Sequence, residues 1–479
     1  MPLILGTNSI KDTGFDVANS LRFNDGSSDH LSRSISSTSN RRTYTISTWF
    51  KRGSMGANQK VITAGTAGQE AGLQFYDGST ENTLRFYEYT GSNNIVIAPN
   101  RLLRDPSAWY HVVIGVDTTQ STESNRVKYY LNGVQETSFA TATYPSQNYD
   151  TKFNTSGSTN YIGFLGSHSA YFDGYMAETV LVDGQQLDAT SFGEFDSDSP
   201  NIWKPKDVSG LTFGTNGFYL DYEDSSSLGN DAAGSNNFTV NNLTAIDQST
   251  DTCTNNFATL NPIQAALSSA TFSEGNLKSV TAGTSGENFG GGNSIGVASG
   301  KWYFEAKATV GSGSSDRNVI GVTGELSTIA YNKSYYGSSS TVSYQSYNGK
   351  VIKNEVDQYT GSLYATGDII QIALDIDNLH VYFGKNGTWQ NSGNPESGAT
   401  GTGAVDLIAL TSTTDGFYFI YHGDNSGASG PVSTFEFNFG SPSFSISSGN
   451  SDANGYGNFE YAVPSSYYSL NTKNLAEFG

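Results

Sequence analysis

The feature that most constrains this chain is a recurring short run of alternating apolar and polar residues, closed by a turn of Gly, Asn or Ser. In YTISTWF, Tyr44, Ile46 and Thr48 fall on one face and Thr45, Ser47 and Trp49 on the other. A period of two over four to nine residues is the pattern of a strand with two unlike faces. Further runs lie at Leu73 to Tyr76, Leu84 to Tyr89, Trp109 to Val116, Val127 to Leu131, Tyr161 to Leu165 and Tyr175 to Val182. A second block carries Lys301 to Ala308, Val319 to Thr323, Asp368 to Asp375, His380 to Phe383, Phe417 to Tyr421 and Thr434 to Phe439. Asn132-Gly133 and Asn386-Gly387 each stand where a tight hairpin needs positive φ at both central residues. No apolar repeat at helical spacing is sustained. The expected fold is all-β: two antiparallel β-sandwiches in tandem.

Length and composition fit that reading. A chain of 479 residues is too long for one ordinary core. Its 29 Tyr and 27 Phe suit cross-strand aromatic pairs, and its 54 Gly suit abundant turns. The formal net charge is −20, which repels phosphate backbones and anionic lipid and argues against a nucleic-acid partner. One cysteine, Cys253, allows no intrachain disulfide, which points to a prokaryotic or viral chain. The opening MPLILGTNSIKDTG has no basic segment before its short apolar run. Neither a signal peptide nor membrane insertion is expected.

The runs divide the chain into an N-terminal docking segment (1–20), a first sandwich (21–200), a connector (201–268), a second sandwich (269–445) and a C-terminal tail (446–479). The connector is rich in Asn, Ser and Gly. It is expected to be ordered, because Trp203, Phe213, Phe218, Tyr219, Leu220 and Phe238 carry too much apolar surface for a free coil.

Three pieces of the first block carry a family resemblance: YTISTWFKRG, WYHVVIGVD followed by VKYYLNGVQ, and FDGYMAETVLVDGQQL. Together they resemble the laminin-G-like jelly rolls of concanavalin-A-like type. In the second block SGKWYFEAKA, GDIIQIALDIDNLHVYFGKNGTWQ and FEFNFGSPSF resemble the SPRY family, which implies partner binding through loops. PLILGTNSIKDTG, TNGFYLDYEDSSSLGND, DTCTNNFATLNP and SLNTKNL resemble pieces of marine tailed-bacteriophage structural proteins. That resemblance implies a virion protein: tail fibre, receptor-binding protein or capsid decoration.

Catalysis finds little support. A concanavalin-A-like glycanase needs two carboxylates at a set separation. The nearest string, Glu355-Val356-Asp357, is followed by Thr360 where the second glutamate belongs. His30, His111, His168, His380 and His422 show no metal-ligand spacing. Gly290, Gly291 and Gly292 read as a turn, since no helix follows to complete a phosphate loop. The chain is therefore expected not to be an enzyme. Calcium is the one cofactor weighed, because the laminin-G resemblance implies a rim site, with Asp77, Asp117 and Asp173 as its candidates.

Glycan binding has broader support. Sugar C–H faces are weakly apolar and their rims polar, which suits amphipathic aromatics. The segment Tyr331 to Asn348 holds Tyr331, Tyr335, Tyr336, Tyr344 and Tyr347 among Ser and Asn, a composition shared with adaptable binding loops. Asn348 would serve sugar hydroxyls. Tyr76 and Asp77, with Tyr87 and Tyr89, form a sparser cluster in the first block. Against both stands the ordinary role of strand tyrosines, packing on cross-strand partners. Trp302 is expected in the core, Trp389 partly exposed, and Cys253 a spectator.

These readings converge on a virion adhesin recognising host surface glycans through sandwich rim loops. Its expected partners are other virion proteins and copies of itself, a trimer by analogy with fibres. The alternatives are a structural decoration or fibre subunit and, third, a glycan depolymerase.

Overall fold

The computed structural model describes residues 12–55, 58–66, 68–76, 82–166, 170–263, 270–281, 286–310, 318–328, 338–426 and 433–479. The described chain is mostly strand, in antiparallel sheets that pair into sandwiches. It divides into two compact units, Thr13–Asn255 and Asn256–Gly479.

In the first unit one sheet runs Val134–Gln135, Val127–Leu131, Trp109–Asp117, Thr43–Arg52, Gly174–Asp183, Ser20–Phe23 and Gln248–Ser249, with Phe218–Leu220 paired onto Gly174–Asp183. The facing sheet runs Phe139–Thr143, Asn93–Pro99, Leu84–Tyr89, Gln69–Phe75, Gln59–Thr66, Thr159–Ile162, His30–Ser34 and Thr239–Asn241. Alternation sorts the faces. Tyr44, Ile46 and Phe50 meet Leu73, Phe75, Phe86, Ile97 and Ile162 in one fully buried core. The Asn132-Gly133 turn has φ of 46° and 79°, which carries the chain tightly from Val127–Leu131 into Val134–Gln135.

The outer face of the first sheet is also buried. Leu187, Ala189, Phe192, Val208, Leu211 and Phe213 lie on Val113, Tyr130, Val180 and Val182. The sheet is therefore closed on both faces by a segment that the sequence puts largely after the last long strand.

The unit boundary falls at Asn255/Asn256, inside the 201–268 segment read as a connector. Up to Asn255 that segment belongs to the first sandwich. Thr239–Asn241 pairs with His30–Ser34, and Gln248–Ser249 with Ser20–Phe23. The reason is apolar content: Phe218, Leu220, Tyr222, Leu228, Phe238 and Leu243 fill the same core as the long strands.

In the second unit a nine-stranded sheet is centred on Lys301–Val310 and Ile369–Asp375. It faces a six-stranded sheet running Gly286–Gly292, Phe419–Ser426, Asn318–Thr323, Thr341–Gln345, Lys350–Lys353 and Val356–Thr360. The segment read as a tail is part of this unit. Tyr468–Ser469 pairs parallel to Lys301–Val310, Phe459 and Tyr467 pack on Tyr303, Ala373 and Tyr382, and Leu470 and Leu475 join the core. The chain ends in a short helix, Thr472–Phe478, whose first turn is capped by the Asn471 side chain accepting from Asn474 N. No helix among the described residues is long and apolar enough to cross a membrane.

Candidate functional site

The outer face of the second sheet of the first unit gathers aromatic side chains, exposed at Tyr76, half-buried around Tyr161 and buried at Tyr87. Strand register fixes which residues share it. Ile62, Leu73 and Phe86 pair in one row and point into the core. The neighbouring row, Tyr161, Thr63, Gly72 and Tyr87, therefore points outward across four strands. Tyr161 and Tyr87 stand roughly 14 Å apart, three interstrand spacings. Between them Gly72 supplies no side chain. Its φ of 153° aims any Cβ at the Ile62 carbonyl oxygen, 2.2 Å away, so the bare position is built into the backbone.

Each end of the row carries a cluster. At one end Phe164 stacks on Tyr171 at 4.6 Å, meets Tyr161 edge-on at 5.3 Å, and lies 4.5 Å from the His30 ring. The Thr63 hydroxyl donates to the Phe164 carbonyl at 2.6 Å and pins this loop to the sheet. All four rings are half-buried. At the other end the Arg85 guanidinium lies 3.7 Å over the Tyr76 ring and 5.4 Å from Tyr87, and Lys60 lies 5.0 Å over Tyr87. The Tyr87 hydroxyl donates to Glu70 at 3.3 Å, and Lys60 donates to Gln74. Burial, then the Glu70 charge, push the Tyr87 phenol up, so it remains a neutral donor. Tyr76 and Tyr89 are exposed. Rings set among amide, carboxylate and cationic groups can stack on a sugar and bond its hydroxyls.

The structure also describes a serine–histidine contact, and its geometry argues against nucleophilic chemistry. Ser47 Oγ lies 2.8 Å from His111 Nε2, while Trp203 Nε1 donates to His111 Nδ1 at 2.9 Å. An accepting Nδ1 puts the ring proton on Nε2, which then donates to serine and cannot take its proton. The imidazole is stacked by Trp49 and flanked by Trp203, and burial lowers its pKa to about 3. Glu355 sits in the hairpin turn between Lys350–Lys353 and Val356–Thr360 with φ of 61°, and Asp357 pairs with Lys350 at 2.5 Å.

The residues expected to bind ligand have different fates. Tyr344 is a core residue and not a contact residue. It is wholly buried, packs on Tyr364 and Phe383 at 5.0 and 5.6 Å, and donates to the Ser362 carbonyl. The alternation of Thr341–Gln345 turns it inward beside Val342 and Val351. Tyr347 and Asn348 are half-buried in the following turn, where Asn348 Oδ1 accepts from Lys350 N at 3.0 Å. Tyr331, Tyr335, Tyr336 and Asp77 lie outside the described residues. Tyr76 is exposed on the outer face of this sheet, and Tyr87 on the same face is buried against Lys60 and Arg85. The face also uses His30, Lys60, Arg85, Tyr161, Phe164 and Tyr171, which the sequence reading did not single out. The available signal was Tyr161 alternating with the apolar Ile162.

Asp117 and Asp173 do not share a calcium site. Asp117 pairs with Thr43 at one end of strand Thr43–Arg52, and Asp173 adjoins Gly174, which pairs with Arg52 at the other. Nine residue steps along a strand are roughly 30 Å, too far to share an ion. Partial burial pushes the Asp117 carboxyl up, but hydrogen bonds from Thr119 and Gln120 outweigh it and hold the group below its ordinary value. Asp173 is buried against Gly53, where an added Cβ would lie 2.6 Å from Oδ1. No group of three His, Cys, Asp or Glu that could hold a metal forms among the described residues.

Trp302 is wholly buried with its indole N–H on the Ser299 carbonyl at 2.7 Å, and Trp389 packs at the edge of Tyr303. Burial raises the Cys253 thiol well above its ordinary value, so it stays protonated.

Comparison with known proteins gives two family matches. Residues 25–188 match a model described as the concanavalin A-like lectin/glucanases superfamily, and residues 301–404 match the SPRY domain. No curated protein matches. Among solved structures, the SPRY domain of human HERC1 is 18% identical, with a TM-score of 0.28, covering 37% of this chain and 96% of that one. A putative carbohydrate binding protein from Bacteroides ovatus is 18% identical, with a TM-score of 0.33, covering 47% of this chain and 59% of that one. Domains LG4-5 of the mouse laminin alpha1 chain are 12% identical, with a TM-score of 0.28, covering 88% of each chain. The protein is thus a tandem of two concanavalin-A-like sandwiches, the first matched by a laminin-G-type model and the second by the SPRY domain.

Proposed function

We propose that this chain is a non-enzymatic glycan-binding protein of a virion, of tail-fibre or receptor-binding type, that attaches the particle to host surface saccharides. The observation that carries the glycan reading is the pair of aromatic groups on one sheet face, the half-buried Tyr161–Phe164–Tyr171–His30 cluster and the exposed Tyr76 ring under Arg85, on either side of the buried row Thr63, Gly72 and Tyr87. The lectin/glucanase description of the family matched over residues 25–188 supports it. The virion assignment rests on the resemblance of PLILGTNSIKDTG, DTCTNNFATLNP and SLNTKNL to bacteriophage structural proteins.

The test is binding of the purified chain to host cells and to oligosaccharides, by titration calorimetry. Tyr161→Ala and Tyr76→Ala are each expected to weaken glycan binding roughly 3- to 10-fold, the value of one aromatic contact. Full binding by the double variant would overturn the assignment of the face. Release of shortened saccharide from a polymer would overturn the non-enzymatic reading. Immunogold label at the tail tip or fibres is expected; label over the head would replace adhesion with capsid decoration.

A further inference from the structure

At one end of the first sandwich the segments 38–43 and 150–158 border two clefts. The larger, about 340 Å³, is lined by Thr38, Ser39, Asn40, Arg41, Arg42 and Asp150, among others, and is within the size range of small-ligand sites. The smaller, about 160 Å³, has Gly65, Gln69, Lys152, Ser156 and Ser158 in its lining. Three cations thus stand along one rim of a chain whose net charge is −20.

The cationic groups are held in place, and Arg41 is held by uncharged partners. Arg41 Nε donates to the Thr151 carbonyl at 2.8 Å and Nη2 to the Asp150 carbonyl at 3.1 Å. Its positive charge is therefore fixed without a carboxylate bound to it, and Nη1 has no hydrogen-bond partner among the described residues. Arg42 bonds Asp150 through Nε at 2.7 Å, and neither of its terminal nitrogens has a hydrogen-bond partner among the described residues. The backbone beneath is fixed as well: Thr118 N donates to the Arg42 carbonyl at 2.9 Å, Ser39 N to the Asn154 carbonyl at 3.0 Å, and Asn216 Nδ2 to the Ser37 carbonyl at 2.9 Å. Of the acids nearby, Glu88 is occupied by the Tyr149 hydroxyl and Lys152 N, and Asp150 is half-exposed. In the second cleft Lys152 Nζ donates to Gln69 at 2.5 Å, and the hydroxyl of Ser158 is buried without a hydrogen-bond partner.

We propose that this rim is a binding site for an acidic saccharide, with a sugar carboxylate held by the free edges of Arg41 and Arg42. A planar carboxylate matches the guanidinium fork, and a preorganised fork loses little entropy on binding. A neighbouring sugar occupies the second cleft, where Lys152 and the exposed Ser156 face its hydroxyls. A solvated surface ion pair accounts for Arg42 and Asp150 alone. It does not account for the carbonyl-held Arg41. The site is independent of the aromatic face and adds a charge requirement to the glycan reading.

The test is titration of the full chain with a tetrasaccharide of galacturonate and, in parallel, with maltotetraose, at low and at physiological salt. The acidic oligomer is expected to bind more tightly and to weaken with salt. Arg41→Gln with Arg42→Gln is expected to cost roughly tenfold or more, the value of a charge-assisted hydrogen bond. Arg41 also supports the 150–151 backbone, so Arg42→Gln and Lys152→Gln singly, checked for unchanged circular dichroism, keep the test sound if the double variant misfolds. Binding of maltotetraose without preference for the acidic oligomer would fail the rim alone, and binding of the acidic oligomer without any binding of maltotetraose would fail the aromatic face alone. Equal binding of the two oligomers, or parental affinity in folded rim variants, would overturn the proposal.

Discussion

Both sandwiches close the outer face of a central sheet with chain that follows the long strands, but by different chemistry. In the first unit the cover is largely aromatic and aliphatic, and its polar contacts run between side chains: Trp203 donates to the neutral His111, whose other nitrogen meets Ser47, and the Tyr219 hydroxyl donates to Glu178. In the second unit Phe459 and Tyr467 lie on Tyr303 and Tyr382 around a carboxylate. Glu305 collects donors from the Tyr303 hydroxyl at 2.9 Å, Glu460 N at 3.0 Å and Tyr461 N at 2.8 Å, with Asn438 Nδ2 at 3.4 Å. The lesson concerns visibility. An aromatic cover shows as apolar surplus in the sequence. A carboxylate anchor looks like any outward strand residue, because its partners are backbone amides some 155 residues away.

The largest test of this contrast is acid. Each unit buries one histidine whose pKa lies near 3: His111 between tryptophans, and His422 against Phe435, Phe437 and Gly290. These folded values lie below the ordinary 6.5, so the unfolded chain takes the proton first and stability falls as pH drops from about 6.5 towards 3. Each histidine should remove about 1.4 kcal/mol per pH unit, reaching about 4–5 kcal/mol. Urea unfolding of His111→Gln and His422→Leu across that range should flatten the loss in one unit only; equal flattening of both units would break the pairing.

Next is the anchor. Glu305→Ala strands two backbone amides and is expected to cost the second unit about 3–5 kcal/mol, while the first unit holds its midpoint. Protease release of residues 446–479 in the variant would report detachment of the cover. An unchanged midpoint would show that the aromatic contacts suffice.

A third test goes the other way. Glu178 sits in a bulge of Gly174–Asp183 at φ of 49°, and burial pushes its pKa up to about 8 despite the Tyr219 hydroxyl donating to it at 2.8 Å. A folded value above the ordinary one means that stability is full below pH about 4.5 and is lost as pH rises towards 8. Glu178→Gln keeps the shape without the charge. It should stabilise the first unit by about 2–3 kcal/mol at pH 7 and by nothing near pH 4, as read by denaturant titration.

The smallest effect concerns the cover itself. Trp203→Phe retains a ring but leaves His111 Nδ1 without its donor, and should cost about 1–2 kcal/mol. If the loss equals that of Trp203→Ala, the hydrogen bond and not the packing holds the cover.

Much of the fold was legible because strand alternation is local. YTISTWF, KWYFEAKA and DIIQIALD state which residues face a core, and Asn132-Gly133 and Asn386-Gly387 state where hairpins turn. The candidate site was legible only in part. Tyr76 and Tyr87 stand close in sequence and were grouped; Tyr161, Phe164 and Tyr171 reach the same face through pairing with Gln59–Thr66, about a hundred residues earlier. The tyrosine-rich segment misled at Tyr344, where composition suggested a loop but alternation placed the ring in the core.

By itself, then, the sequence determined strand identity, turn positions and the two-sandwich class, since each depends on residues within a few positions of one another. Only the tertiary structure decided which outward residues are covered and which stay exposed. It also decided whether an outward residue becomes an anchor like Glu305 or a surface ring like Tyr161. Those outcomes depend on long-range pairing and on where distant backbone donors arrive, and neither leaves a periodic trace in the chain.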